Sequence, residues 1–328
     1  MMMLGLKTVR KGSKMKYNKA SLGFAAKEKG FQRDTFEKVL RLKEILYFMN
    51  SDEFLKQHLV LKGGTAINMT IFALPRLSVD IDMDYMPNDS RDDMQKTREK
   101  ITEKIELYMA REGYLLSPSS RFSFSLDAFY FQYINAGGNK DIIKIELNYS
   151  LRAHLFEPVQ RIILTDIFDD AFTVQTLEPM EIFAAKANAL ISRAAARDLY
   201  DFSNMIDKQL FSDADTNLFR KSIIFYNTIS QEYINKTFDT SALDRLNFSR
   251  IKKELFPVLK KKDNFDLEGR KHKIKRYINA LMHTTEDEMK YMSAFENREY
   301  RPELLFVQPD ILERIEKHPM AIWKCRRQ

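Results

Sequence analysis

Three aspartates stand at alternate positions in Val79-Asp80-Ile81-Asp82-Met83-Asp84-Tyr85. In an extended strand alternate side chains share a face, so the carboxylates project one way and the apolar set packs the other. Like charges facing one another on a strand cost roughly 0.2–1 kcal/mol per pair, and a bound cation removes that penalty. Donors made only of carboxylate oxygen suit Mg²⁺ or Mn²⁺ rather than zinc. Upstream, Gly63-Gly64-Thr65 can form a tight turn that opens a helix. The first N–H groups of such a helix can face phosphate oxygens, and the Thr65 hydroxyl adds a donor in the first turn. Arg76 and Ser78, between the two features, are further supports for a phosphate. Taken singly, each feature also fits a bland reading: an ordinary turn, and the solvated face of an edge strand.

A second group of charges lies in Glu181–Asp201, an alanine-rich stretch with strong helix propensity. Read as one continuous helix at 100° per residue, it carries Arg193, Arg197 and Asp201 within about 60° of Lys186, with Asp198 about 120° away. Such a row of three cations and one carboxylate is expensive to bury without a ligand. An i,i+4 ladder of Arg–Asp pairs is the structural alternative. Lys186 has Leu190 at i+4 and so makes the better candidate for a triphosphate.

Composition narrows the classes. The five histidines are scattered and Cys325 is the single cysteine, so neither a His-rich zinc site nor a disulfide framework within the chain is expected. One cysteine fits a reducing, cytoplasmic setting. No apolar run approaches the roughly 20 residues of a membrane helix. Residues 1–29 read as a basic extension without the apolar core of a signal peptide, and Met15 is an alternative start. The chain carries a net charge of +7, and Arg250–Arg276 holds eleven Lys/Arg against four acids, which equals the whole excess. A run of that kind attracts polyanions such as RNA; solvated helix faces are the alternative.

The elements that must position these groups follow from periodicity. Residues 31–57 read as one or two amphipathic helices, Gly64–Ala73 as a short helix, and residues 90–112 as a charged helix ended by Gly113. Arg121–Tyr133 reads as a strand, Ala136-Gly137-Gly138-Asn139 as a hairpin turn, and Ile142–Asn148 as the returning strand. On that strand Lys144, Glu146 and Asn148 share the polar face. After Pro179 the pattern is helical, with a break near Pro257 and Lys260-Lys261-Lys262. The expected class is α+β: a mixed sheet with flanking helices over residues 30–178, then a helical domain over 179–328.

Leu61-Lys62-Gly63-Gly64-Thr65-Ala66-Ile67-Asn68, followed by Arg76-x-Ser78-x-Asp80-Ile81-Asp82, resembles the signature of the AbiEii/MenT nucleotidyltransferase toxins. Lys186-x-x-Ala-x-x-x-Arg193-x-x-x-Arg197-Asp198-x-Tyr200-Asp201 is similar to a later motif of the same family. Tyr300–Phe306 and His318–Lys324 are similar to its tails. The resemblance implies a polymerase-β-like domain in which Asp80 and Asp82 hold Mg²⁺ or Mn²⁺. Glu146 is the third carboxylate and Asp84 a lesser candidate. It further implies that Gly63, Gly64 and Thr65 cradle the triphosphate of an NTP, that Lys186 neutralises it, and that Asp201 orients Lys186 or assists the nucleophile. The implied reaction moves NMP to an RNA acceptor, such as the 3′ end of tRNA. The implied setting is a toxin–antitoxin or abortive-infection pair with a cognate antitoxin. Transfer to a small-molecule or protein hydroxyl is the alternative.

Overall fold

The computed structural model describes residues 17–164, 171–230 and 232–326; most of the basic N-terminal extension, with Met15, lies outside them. The chain divides into two compact units, but not by a single cut at residue 178. The first unit takes in residues up to Ser150, then Val159–Thr176 and Phe256–Asp263; the second is Leu151–Pro158, Leu177–Leu255 and Asn264–Gln328. Each half of the sequence thus lends a short segment to the other unit.

The first unit opens with α1 (Lys19–Lys29), α2 (Arg33–Ser51) and α3 (Glu53–His58). Residues 19–29 belong to the stretch read as an extension. Yet Asn18 caps α1 through the amides of Ala20 and Ser21, and Gly30 ends it in the left-handed region at φ 80°. There follow β1 (Leu59–Lys62), α4 (Gly63–Ala66, continued by a π-helical turn Ile67–Ile71), β2 (Asp80–Tyr85) and α5 (Arg91–Arg111). The remaining strands are β3 (Leu115–Leu116), β4 (Arg121–Phe122), β5 (Leu126–Ile134), β6 (Lys140–Asn148), β7 (Val159–Ile162) and β8 (Thr173–Thr176).

These eight strands form one mixed sheet in the order β3-β5-β6-β2-β1-β8-β7, with β4 also on β5. The strand bearing the aspartates is central rather than an edge: β2 runs parallel to β6 and antiparallel to β1. Its alternate residues Ile81 and Met83 are buried in the core, as period-two patterning requires. The β5–β6 hairpin turns where expected. The Asn135 side chain accepts from the amides of Gly137 and Asn139, and Gly138 takes φ 86°. The expected mixed sheet with flanking helices is the fold observed.

The second unit is helical: α6 (Pro179–Arg193), α7 (Ala196–Asp207), α8 (Thr216–Ser230), α9 (Phe248–Glu254), α10 (Leu267–Leu281), α11 (Glu286–Glu296), α12 (Pro309–Ile315) and α13 (Pro319–Arg326). Pro179 sits at the first turn of α6 and Glu178 caps it. The buried Glu181 carboxylate accepts from the Leu155 amide at 2.8 Å and the Tyr226 hydroxyl at 2.5 Å, tying Leu151–Pro158 to α6 and α8.

The continuous helix expected through Asp201 is not formed. Ala194 adopts φ 47° and ends α6, and α7 starts afresh at Ala196. Alanine propensity favours running on, but the break lets α7 turn its first-turn Asp198 back onto Lys186. The left-handed alanine costs roughly 1–2 kcal/mol, and the buried Lys186–Asp198 pair at 2.7 Å is the contact that the break makes possible.

Candidate active site

Register decides which side chains meet in the first unit. Lys62 on β1, Asp82 on β2 and Glu146 on β6 are direct partners across the sheet, with Asp80 opposite Lys144 one step along and Asp84 opposite Asn148 on the other side. Four carboxylates (Asp80, Asp82, Asp84, Glu146) and two ammonium groups (Lys62, Lys144) therefore share one strip, leaving two negative charges unmatched. Lys62 pairs with Asp84, and Lys144 pairs with Glu146 at 2.8 Å. Burial and the neighbouring Asp80 charge push the Asp82 carboxyl up to about 6, Glu146 adding to the rise and Lys62 opposing it. Burial pulls the Lys144 ammonium down, but the hydrogen bond and charge of Glu146 overrule it and leave it above its ordinary value. Among the described residues, no group of three or more His, Cys, Asp or Glu side chains stands at metal-holding distance.

The Gly-Gly turn is built against this strip. Gly63 takes φ 70°, and a Cβ there would stand 2.6 Å from Asp82 Oδ2. A Cβ at Gly64 would stand 2.8 Å from an Arg76 guanidinium nitrogen and 3.1 Å from Ser78 Oγ. Positive φ and the Asp82 side chain together demand glycine at Gly63, while a side chain at Gly64 has to push the buried Arg76 guanidinium aside. The polar residues expected to reach a phosphate from this region lie beneath the turn instead. Thr65 is 0 % exposed and its hydroxyl donates to the Asp80 carbonyl, so it ties the helix start to β2. Arg76 and Ser78 are buried as well, and Arg76 donates to the Leu77 carbonyl at 2.8 Å. Their packing shapes the turn from beneath.

In the second unit Lys186 is 8 % exposed, with Asp198 Oδ1 at 2.7 Å and Asp201 Oδ2 at 3.1 Å. Asp198, expected off this face, is its nearer partner, because the break at Ala194 resets the helical phase. Burial alone would raise the Asp198 carboxyl; Lys186 and Arg193 hold it below the ordinary carboxylate range. Arg193, with a side chain 70 % exposed, reaches Asp198 at 3.3 Å and still presents most of its guanidinium to solvent. Arg197 donates to the Glu254 carbonyl at the end of α9, which is a helix-capping role.

The basic run does not act as one patch. Arg250, Lys271, Lys273 and Lys275 pair with Glu254, Glu268, Asp207 and Asp244. Lys260, Lys261 and Lys262 are exposed, make no ion pair among the described residues and belong to the first unit. Two participants escaped the sequence reading. Lys62 was written next to the glycine pair, but its place opposite Asp82 depends on β1–β2 register. Asp198 stands in the same sequence stretch, but only the break at Ala194 brings it onto the Lys186 face.

The family described as "Nucleotidyl transferase AbiEii toxin, Type IV TA system" matches residues 44–295, a span that holds every group above and leaves out the C-terminal motifs after Tyr300. No curated relative matches the chain. Among solved structures, MenT4, a nucleotidyltransferase toxin from Mycobacterium tuberculosis, shares the fold with a TM-score of 0.61 at 15% identity, over 88% of this chain and 97% of that one. The family match covers well over half of the 328 residues and takes in both the glycine turn beside Asp82 and the Lys186 cluster, so the chain belongs to the AbiEii nucleotidyltransferase toxins of type IV toxin–antitoxin systems.

Proposed function

We propose that this nucleotidyltransferase transfers NMP from an NTP to an RNA acceptor, the 3′ end of tRNA being the specific candidate, as the toxin partner of a cognate antitoxin. The observation that supports this reading is the close approach of the Gly63 turn to Asp82, which brings the glycine pair directly against the carboxylate strip. Asp80 and Asp82 would hold Mg²⁺ or Mn²⁺, with Glu146 beside them in register. The donors fit such an ion: all are carboxylate oxygens, they carry an excess of negative charge, and burial opposes ionisation of Asp82. Bound there, a divalent cation supplies charge neutralisation for the attacking oxygen and for the departing pyrophosphate.

The chain's own groups do the rest. Main-chain N–H groups of Gly63 and Gly64 donate to phosphate oxygens, while Thr65, Arg76 and Ser78 hold the turn rigid from below. Lys62 and Lys144 keep the carboxylates from repelling one another before ligands arrive. Lys186 is assigned to the triphosphate charge, oriented by Asp198 and Asp201, with Arg193 as the exposed cation of that cluster. Transfer to a small-molecule or protein hydroxyl is the second reading, favoured by the internal pairing of much of the basic run. Incubation with each labelled NTP, Mg²⁺ and either total RNA or an RNA-free protein fraction separates the two. Label in RNA supports the first reading, and label only in the second fraction overturns it.

A further inference from the structure

The second half of the chain returns to the catalytic unit for eight residues, Phe256–Asp263. Three main-chain links fix the segment there. Leu259 pairs with Arg76 in an isolated antiparallel bridge, the Leu77 amide donates to the Val258 carbonyl at 2.8 Å, and the Lys261 amide donates to the Gly30 carbonyl at 2.8 Å. Val258 and Leu259 are buried, and the Asp263 amide closes the turn onto the Lys260 carbonyl at 2.9 Å. What this turn displays is Lys260, Lys261 and Lys262, all exposed. Lys260 also places its ammonium 5.7 Å from the Phe31 ring centroid. Through Arg76, which packs against Gly64, the lysine turn is held at a fixed offset from the phosphate cradle within the same unit.

We infer that the Lys260–Lys262 turn grips the phosphate backbone of the RNA acceptor. This rests on the RNA reading above. Two features separate the turn from a merely solvated charge run. Lys271, Lys273 and Lys275 are consumed by acidic partners, whereas these three make no ion pair among the described residues and stand consecutively on one turn, a density that the exposed pair Lys252 and Lys253 does not reach. Solvated lysines also need no fixed backbone, while this turn is tied through Arg76 and Leu77 to the segment that leads into β2 and through Gly30 to the end of α1. Successive cations on a rigid turn suit separate phosphates along a strand, each contact releasing counterions.

The test uses the full chain and a fluorescently labelled RNA hairpin with an unpaired 3′ end. Binding is read by anisotropy across a KCl series for wild type, K260Q/K261Q/K262Q and K260E/K261E/K262E. The glutamine variant is expected to fold as wild type, to keep NTP affinity, to bind RNA at least about tenfold more weakly, and to lose about 2 from the slope of log K against log salt. The glutamate variant should be weaker still. Wild-type affinity and slope in the glutamine variant, alongside RNA labelling by wild type, overturn the grip but leave the acceptor reading intact. Failure of wild type itself to bind or label RNA overturns both, and is recognised without any variant.

Discussion

The Asp82 carboxylate occupies the space that a side chain at Gly63 needs: a Cβ there would stand 2.6 Å from Asp82 Oδ2, on a backbone at φ 70°. Gly63→Ala therefore strains the backbone by about 1–3 kcal/mol and displaces the carboxylate as well. Gly138→Ala is the matched control, since φ is 86° there but nothing lies within 4 Å of its Cβ. Both variants should lose thermal stability to the backbone strain, Gly63→Ala the more because of the added clash, and only Gly63→Ala should lose nucleotide transfer, by about 100-fold or more, the scale of a misplaced catalytic group. Equal transfer rates in the two variants would detach the glycine turn from catalysis.

The Asp82 carboxyl, raised from 3.8 to about 6, makes stability pH-dependent in metal-free protein. The folded chain retains a proton that the unfolded chain gives up, so the contribution is full below 3.8 and is lost as pH rises through about 6. Asp82→Asn removes this penalty. In chelator, its melting temperature should exceed wild type by a few degrees at about pH 7.5 and match it near pH 4, while transfer is abolished. A gain that ignores pH would refute the assignment to Asp82.

Lys186 lies almost dry between Asp198 and Asp201. Lys186→Met leaves two buried carboxylates facing one another, a loss of about 3–5 kcal/mol in chemical denaturation. A triple change to Lys186→Met, Asp198→Asn and Asp201→Asn should recover most of that stability and none of the activity. Asp198→Asn and Asp201→Asn should each impair transfer, whereas a continuous helix, with Asp198 off the Lys186 face, ranks Asp201 ahead of Asp198. Full activity in Asp198→Asn would show the 2.7 Å pair to be scaffolding.

His318 is fully buried at the start of α13, its ring 5.4 Å from Phe225. Burial, with the nearby His154, holds it down to about 3 from 6.5. The folded state thus refuses a proton that the unfolded chain accepts, and stability falls as pH drops below 6.5 toward 3. Each pH unit in that window costs up to about 1.4 kcal/mol. His318→Phe should flatten the acid limb of the melting curve between about pH 6 and pH 4; an unchanged limb would assign it to other groups.

Local pattern carried much of the fold. The period-two run from Asp80 to Tyr85 marks β2, and the glycine pair at Gly137-Gly138 marks the hairpin. Asn18 and Gly30 also bracket α1, although basic composition argued for an extension. What stayed hidden was set by distant partners. No window around Lys62 reports that β1 lies antiparallel to β2, and alanine propensity at Ala194 argues against the break that seats Asp198. The bond from Thr65 to the Asp80 carbonyl likewise depends on how the helix start docks on the strand.

Because Phe256–Asp263 belongs to the catalytic unit, that unit is assembled only late in synthesis. The loop carrying Arg76 toward β2 waits for Leu259, translated some way into the second half of the chain. A nascent or clipped polypeptide ending before Phe256 contains Gly63, Asp80, Asp82 and Glu146 but not the strand partner of Arg76.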